Sequence, residues 1–303
     1  MRALRSPDQH TRVVRATLAA LALGVAGLAA PAAAGPQRIG GKLPLTGGIS
    51  TVEGSAGGGL ATWALIVGNE TEDGNGGAAQ LTRLELPDFR LTVVSGAIGL
   101  RNRVELSVAH QIFDTREAGV TLGLGRSYTF GQDIFGIKVR VIGDAVWDQD
   151  RLLPQISVGV QHKRANRGPL IQALGGKSSS GTDFYVSATK VVLPLSLLAS
   201  GTARWTSANQ FGLLGFGGDL HSGRSLQFEG SAGLLATPTL ALGVEFRTKP
   251  DNLSFARESG GFDFFAAAAI GHHLTATAAY VDLGDIATFH RQRGFLVSLQ
   301  GSF

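Results

Sequence analysis

The sequence predicts an all-β protein, a transmembrane antiparallel up-and-down β-barrel of about 12–14 strands that follows a cleaved signal peptide. Three observations predict this class: segments of about 9–13 residues alternate between apolar and polar side chains, residues 1–34 resemble an export signal, and 43 of the 303 residues are glycine. Glycine at this frequency disfavours a helical bundle, because each glycine inside a helix costs about 1 kcal/mol relative to alanine. The chain has no cysteine, which excludes disulfides, thiolate metal sites and cysteine nucleophiles.

The first element is the predicted signal peptide, residues 1–34. Four arginines precede an apolar run at 16–30, and the small residues 32–34 follow it, as in an export signal. Its removal takes away four of the 27 basic residues and one of the 23 acidic residues, so the remaining chain is nearly neutral. Nucleic-acid binding, which requires a concentrated basic face, therefore loses its compositional support.

The next element is a glycine-rich segment, residues 35–59, followed by the predicted barrel at 60–303. A barrel of 12–14 strands encloses more space than side chains alone fill, so this segment is a candidate plug that folds inward. After the signal peptide no apolar run reaches the 18 or more residues of a membrane-spanning helix.

The strands are predicted from a period of two. In segment 135–147, Ile137 and Val139 alternate with Lys138 and Arg140, whereas a helix would mix these side chains on one face. The same alternation occurs at 155–163, 195–206, 226–232, 240–247 and 295–303, and less regularly at 60–68, 88–100, 103–113, 118–128, 182–192, 210–219, 261–270 and 272–282. The glycine-rich segment 210–219 alternates least, which leaves both 12 and 14 strands open; bacterial single-chain barrels use even numbers.

A membrane barrel is favoured over a soluble sandwich by export, by strand length and by the C-terminus. A tilted strand needs roughly 9–11 residues to cross a membrane. The last strand places Phe295, Val297 and Leu299 on one face and ends on Phe303, which resembles the signal read by the barrel assembly machinery. The sequence thus predicts the outer membrane of a Gram-negative bacterium as the location, and outer-membrane lipids and that machinery as partners. It indicates no oligomeric state.

Charged side chains on the polar faces of the strands are predicted to point into the barrel, because Arg or Lys on the lipid face costs about 2–4 kcal/mol. The predicted lumen-lining residues are Lys138, Arg140, Lys163, Arg204, Glu229, Glu245 and Arg247. Such a set either lines a polar pore or neutralises itself in a closed interior. Trp63, Trp147 and Trp205, near strand ends, are candidates for aromatic girdles or for ordinary packing.

Several stretches resemble the uncharacterised proteobacterial family called domain of unknown function 3034, over nearly the whole chain after the signal peptide. They are 47–54 with 57–59, 143–150 with 153–155, 181–185, 208–219, 249–253, and 279–285 with 293–294. The resemblance implies an exported outer-membrane β-barrel. It implies no established activity and no catalytic residue.

Candidate chemical motifs are outweighed by simpler interpretations. The end of a phosphate-binding loop is resembled by residues 175–178. However, the motif also requires a glycine at position 171, where this sequence has Ile171, and no strand–loop–helix unit surrounds these residues. Asp144, Asp148 and Asp150 are more typical of a solvated turn than of a Ca²⁺ site. His110 and His162 have no serine at a spacing that argues for a nucleophile–base pair. The sequence therefore predicts no enzyme, metal or cofactor.

The predicted function is a porin-like passage for small molecules, based on the mixed-charge inward faces. A structural barrel with a filled lumen is the alternative, and a membrane-embedded lipid hydrolase is a third. The connections 69–86 and 165–181 are both expected on the extracellular side.

Overall fold

The computed structural model describes residues 42, 45, 47–69, 74–146, 148 and 151–303. The predicted signal peptide, most of the chain at 35–46, Trp147 and Asp150 lie outside the described residues.

Twelve strands of the described chain form a closed antiparallel barrel in which each strand pairs with its sequence neighbours and the last pairs with the first. Two further short strands, β1 (Ile49–Ser50) and β2 (Ala56–Gly57), pair with each other. The barrel strands are β3 (Asn75–Glu85), β4 (Arg90–Leu100), β5 (Val104–Asp114), β6 (Thr129–Ile142), β7 (Gln155–Ala165), β8 (Ser180–Val192), β9 (Leu197–Thr206), β10 (Ser225–Thr237), β11 (Leu240–Arg247), β12 (Gly261–Ile270), β13 (Leu274–Asp282) and β14 (Arg293–Ser302). This confirms the predicted all-β up-and-down barrel, with 12 strands.

The period of two divides the side chains between the two faces of the wall. In β6, Ile137 and Val141 are more than half exposed on the outside, whereas Lys138 and Arg140 are buried inside. The exposed apolar side chains form the outer surface that a lipid bilayer requires. Among the described residues, no helix combines the length and apolar character needed to cross a membrane.

Three predicted strands are absent from the barrel, and each was an apolar stretch with another role. Residues 60–68 lie inside the barrel, which begins at Asn75 and not near residue 60. Segment 118–128 contains a short helix, α1 (Ala118–Thr121). Segment 210–219 turns sharply, with positive φ at Gln210 and Phe211.

One barrel strand was missed, because β3 combines two glycines with a polar and charged outer face. Leu81 and Arg83 point outward, and Gln80 and Thr82 are buried. The prediction that 69–86 is a long extracellular connection is therefore wrong, since most of that segment is β3.

The connections between strands differ in length at the two ends of the barrel. The long-loop end carries 86–89, 115–128, 166–179, 207–224, 248–260 and 283–292, and includes a second short helix, α2 (Gly168–Ala173). The short-turn end carries 101–103, 143–154, 193–196, 238–239 and 271–273, together with the start of β3 and the end of β14.

Residues 47–68, here called the lumen segment, run inside the barrel, and every one of them is buried. Apart from β1 and β2 the segment is irregular. Val52 and Leu60 of the segment join an apolar cluster with inward-facing side chains near the long-loop end, such as Leu84, Leu91 and Phe113. The barrel interior is thus filled by the chain itself, polar at mid-height and apolar under the long loops.

Candidate functional site

The lumen segment is attached to the barrel wall through a glutamate of its own, Glu53. Its carboxylate contacts the ammonium of Lys163 and lies 2.9 Å from the guanidinium of Arg247 and 3.6 Å from that of Arg204. Glu53 is therefore a buried anion matched to three wall cations.

Glycines allow this close approach of segment and wall. Gly54 follows Glu53 with a φ of +89°, and a Cβ there would lie 3.0 Å from the carbonyl oxygen of Val108. A Cβ on Gly58 would overlap the carboxylate of Glu245. The glycine-rich composition of the segment is thus a steric requirement of packing inside the barrel.

Backbone amides of the lumen segment donate hydrogen bonds to wall carboxylates. An irregular backbone inside a barrel needs such acceptors, because its N–H groups have no ladder partners. The pairs are Thr62 with Glu229 at 2.7 Å, Leu60 and Ala61 with Glu245 at 2.8 and 3.2 Å, and Val67 and Ala56 with Glu105 at 2.9 and 3.2 Å. Wall carboxylates therefore replace the hydrogen bonds of a sheet.

Wall cations bind the carbonyl groups of the same segment. The ammonium of Lys138 donates to the carbonyl oxygen of Trp63 at 3.1 Å and is paired with Glu105 at 3.1 Å. The guanidinium of Arg247 donates to the carbonyl oxygen of Leu60 at 3.2 Å. The segment is held by donors and acceptors on both sides, all shielded from solvent.

The structure brings six of the seven predicted lumen residues into contact with the lumen segment. They are Lys138, Lys163, Arg204, Glu229, Glu245 and Arg247. Arg140 is also buried, but it pairs with Asp144 at 2.7 Å toward the short-turn end.

Four buried acidic residues of this interior were not singled out from the sequence. Glu105, Asp183 and Asp263 occupy inward positions of β5, β8 and β12, where the period of two would have found them. Asp183 lies 2.7 Å from Lys163. Glu53 carried no signal, because an irregular segment has no periodic faces.

The predicted assembly residues lie along the last strand. Phe295, Val297 and Leu299 point outward, each at least half exposed. Phe303 follows the strand, and its backbone N–H and C=O exchange hydrogen bonds of 3.0 Å with Gly77 at the start of β3. The C-terminal residue thus extends the pairing that closes the barrel.

The two tryptophans Trp63 and Trp205 lie in different environments. Trp63 is buried in the lumen, where its indole N–H donates to Ser231 at 2.7 Å, so of the two alternatives it fits ordinary packing and not a membrane girdle. Trp63 was a girdle candidate because residues 60–68 were predicted to form a strand. Trp205 lies on the outside of β9 and is half exposed.

Residues 175–178, which were compared with a phosphate-binding loop, form a loop after α2.

The histidines considered for hydrolysis both lie on the outer face. Nδ1 of His110 is 2.7 Å from the carboxylate of Asp133, and Nδ1 of His162 is 3.0 Å from the hydroxyl of Thr182. Within the described residues, neither ring has a hydrogen bond to a serine hydroxyl. The described chain also contains no group of three His, Asp or Glu side chains arranged to hold a metal ion.

Comparison with known proteins gives one family and a set of barrels. The sequence pattern of "Protein of unknown function (DUF3034)" matches residues 46–300. No curated protein matches the sequence.

Among solved structures, a KdgM porin is similar with a TM-score of 0.50 at 9% identity, over 75% of this chain and 99% of that one. The COG4313 outer membrane channel from Pseudomonas putida F1 has a TM-score of 0.44 at 15% identity, over 75% and 94%. The outer membrane phospholipase A from Escherichia coli has 0.39 at 11%, over 78% and 93%. The porin match shows the fold of an outer-membrane protein.

Proposed function

We propose, from the premise that this chain belongs to the DUF3034 family, that it is a gated outer-membrane passage for small molecules, closed by its own lumen segment. The observation that carries the proposal is the polar attachment of that segment: Glu53 meets Lys163, Arg204 and Arg247. If the segment moves away, these cations and the wall carboxylates line a water-filled pore, which is an environment that suits charged side chains.

The same proposal includes the site of action and the partners. The export-like residues 1–34 and the outward apolar faces support insertion in the outer membrane of a Gram-negative bacterium. The exposed Phe295, Val297 and Leu299 and the terminal Phe303 support recognition by the barrel assembly machinery, and the same apolar surface contacts outer-membrane lipids. The nearly neutral chain after the signal peptide supports no nucleic-acid partner.

The test is a reversible lock of the lumen segment. The hydroxyl of Thr189 on β8 lies 2.8 Å from the backbone amide of Ala64, so the segment and the wall are close at this point, and Ala64→Cys with Thr189→Cys is the pair to be oxidised, with the disulfide verified by mass spectrometry. Because the chain has no cysteine, no other disulfide competes. In planar bilayers we expect channel events from the reduced double variant, their loss on oxidation and their return on reduction. Ala64→Cys alone is the control and should not respond to oxidant.

Deleting residues 47–68 complements the lock. We expect a larger and steadier conductance from this variant, because the wall charges then face water. If neither the reduced double variant nor the deletion conducts, the protein is instead a structural scaffold with a filled lumen. The buried ion pairs of the interior are also compatible with that function.

We also propose that the protein is not an enzyme. On the outer wall, His110 bonds a carboxylate and His162 bonds a threonine hydroxyl. Among the described residues, neither ring has a hydrogen bond to a serine. Phospholipid turnover by the purified barrel should equal that of His110→Ala and His162→Ala. Turnover above the detergent background that either substitution removes would establish the hydrolase instead.

A further inference from the structure

A cavity of about 130 Å³ lies between the lumen segment and the long loops. Its floor includes Val52 and Leu60 of the lumen segment, and its sides include Leu84, Leu91 and Phe113 of the wall. Its roof comes from the loops at 86–89, 115–128, 166–179, 207–224, 248–260 and 283–292, which contribute mainly leucine and phenylalanine side chains. All six loops of the long-loop end therefore converge on one apolar space.

The size and lining of this cavity indicate what it can hold. An apolar cavity near 150 Å³ in a protein core stays dry and binds benzene or xenon, because water finds too few hydrogen-bond partners there. A volume of about 130 Å³ is close to that of this benzene-binding cavity and suits a single six-membered ring. A charged ligand would lose its hydration with no described counter-charge among the lining residues.

The few polar side chains of the lining leave one hydrogen-bonding atom unused. Thr115 donates to the carbonyl oxygen of Tyr128, and the Gln210 amide uses both ends, accepting from Lys249 and donating to Asp285. Gln111 donates from Nε2 to the carbonyl oxygen of Val52 at 2.7 Å. Its Oε1 is buried and has no partner among the described residues.

The orientation of the Gln111 amide is fixed by that contact. The carbonyl oxygen of Val52 can only accept, so the NH₂ group must face it and the oxygen must face away. Gln111 is 1% exposed, and a buried acceptor without a donor is destabilising, because it has lost its hydrogen bonds to water and gained none in return. A ligand that supplies one donor would remove this cost.

We infer that the cavity is a binding site for a neutral monocyclic compound with one hydrogen-bond donor, such as a phenol. The ring fills the apolar space and the hydroxyl donates to Oε1 of Gln111. Because Val52, which precedes Glu53, and Leu60 both belong to the lumen segment, the ligand would lie directly against the gate. That such compounds are the transported cargo depends on the proposed passage, whereas binding itself does not.

The probes are 4-fluorophenol and 4-fluorotoluene, two compounds of nearly equal shape that differ in the donor. Binding to the full chain in lipid nanodiscs is followed by ¹⁹F NMR, with empty nanodiscs as the blank for partition into lipid. We expect saturable binding of 4-fluorophenol, about three- to tenfold tighter than that of 4-fluorotoluene, which is the usual effect of one net hydrogen bond. Equal affinities would overturn the assignment of the donor.

Variants test separately the hydrogen bond to Gln111 and the location of the ligand in the cavity. Gln111→Met keeps the side-chain length and removes the acceptor, so 4-fluorophenol should fall to the affinity of 4-fluorotoluene, whose own affinity changes little. Leu174→Trp adds bulk at the cavity lining and should abolish binding of both probes. Leu220→Phe, on an exposed loop position away from the cavity, is its matched control.

Failure of ligand binding can be distinguished from failure of the proposed passage. The oxidised Ala64→Cys, Thr189→Cys variant keeps the cavity, so it should bind 4-fluorophenol like the unmodified chain whether or not the barrel conducts. Absence of saturable binding to the unmodified chain, or binding that Leu174→Trp leaves intact, would overturn the site.

Discussion

At the scale of single residues, Glu53 is the acidic side chain through which the lumen segment pairs with the wall. Its three cations share two further carboxylates, Asp183 and Glu229, so a neutral side chain at position 53 would leave this group one negative charge short. Removing one partner of a buried ion pair typically costs about 3–5 kcal/mol, because an uncompensated charge stays behind. Loss of the Glu53 carboxylate should therefore weaken the attachment of the segment, although other hydrogen bonds to the wall remain.

Glu53→Gln should weaken docking of the lumen segment without changing the barrel. We expect faster hydrogen exchange of the amides at 51–62, with exchange in the barrel strands unchanged, as measured by mass spectrometry. Glu85→Gln is the matched control, because Glu85 also pairs with arginine but is exposed at the long-loop end. Unchanged exchange at 51–62 in Glu53→Gln would show that the other contacts suffice to hold the segment.

Gly54 gives a second test of the same attachment. Alanine at a φ of +89° is strained by about 1–2 kcal/mol, and its Cβ would press against Val108 and Ala109 of β5. Gly54→Ala should therefore also raise exchange at 51–62. In Gly223→Ala, where a Cβ meets nothing within 4 Å and the backbone needs no positive φ, exchange should be unchanged. Equal behaviour of the two variants would argue against close packing at Gly54.

The sequence predicts residues on strands much better than residues in the lumen segment. A strand assigns each side chain to one of two faces, so the inward direction of Lys138 or Arg204 follows from its neighbours alone. Glu53 and Trp63 lie on an irregular path whose direction depends on contacts with the finished barrel. The partners of the lumen charges were therefore beyond sequence analysis, even where the charges themselves were found.

At the scale of elements, two of the three wrongly predicted strands are apolar loops, and the third, 60–68, is part of the lumen segment. Leu122 and Leu124 in the segment 118–128, and Leu213 and Leu214 in the segment 210–219, line the cavity rather than a strand. Apolar side chains in the loops of a barrel look like strand residues in sequence. The reverse holds for β3, a true strand that was missed because its outer face carries Arg83 and Glu85 near the long-loop end.

The contact between loops 207–224 and 248–260 should depend on pH through Glu258. Burial raises the pKa of this carboxyl to about 7, against the opposing charge of Lys249, and its oxygens accept from the backbone amide of Gln210 at 2.9 Å. The folded state thus binds a proton more tightly than the unfolded state, whose pKa is about 4.5. Stability of the contact is full below pH 4.5 and falls as pH rises to about 7, by at most about 3 kcal/mol.

Hydrogen exchange of the Gln210 amide, corrected for the intrinsic rate, measures this effect. We expect protection up to about a hundredfold higher at pH 5 than at pH 8. Burial lowers the pKa of Lys249, so its titration acts on stability with the opposite sign. Glu258→Gln should flatten the difference between the two pH values. Equal protection at pH 5 and pH 8 in the unmodified chain would show that Glu258 titrates normally.

At the scale of the whole molecule, the number of strands creates the need for the lumen segment. A barrel of eight strands is filled by its own side chains, and one of twelve is not. The inward faces could have been apolar and packed, but they carry charges, which require partners or water. The lumen segment supplies partners at mid-height and leaves the apolar cavity above it, so closure and ligand space arise from the same short stretch of chain.

The difference in loop length predicts which end of the barrel faces outside. Bacterial outer-membrane barrels have short periplasmic turns and longer extracellular loops, so the long-loop end and the cavity should face the exterior, and the lumen segment should lead in from the periplasm. Ser222 in loop 207–224 and Thr239 in turn 238–239 are exposed at opposite ends. Since the chain has no cysteine, Ser222→Cys and Thr239→Cys each introduce a single thiol. A membrane-impermeant maleimide should label Ser222→Cys in intact cells, and Thr239→Cys only after the outer membrane is permeabilised. The opposite pattern would place the cavity in the periplasm, where it could not take up compounds from outside.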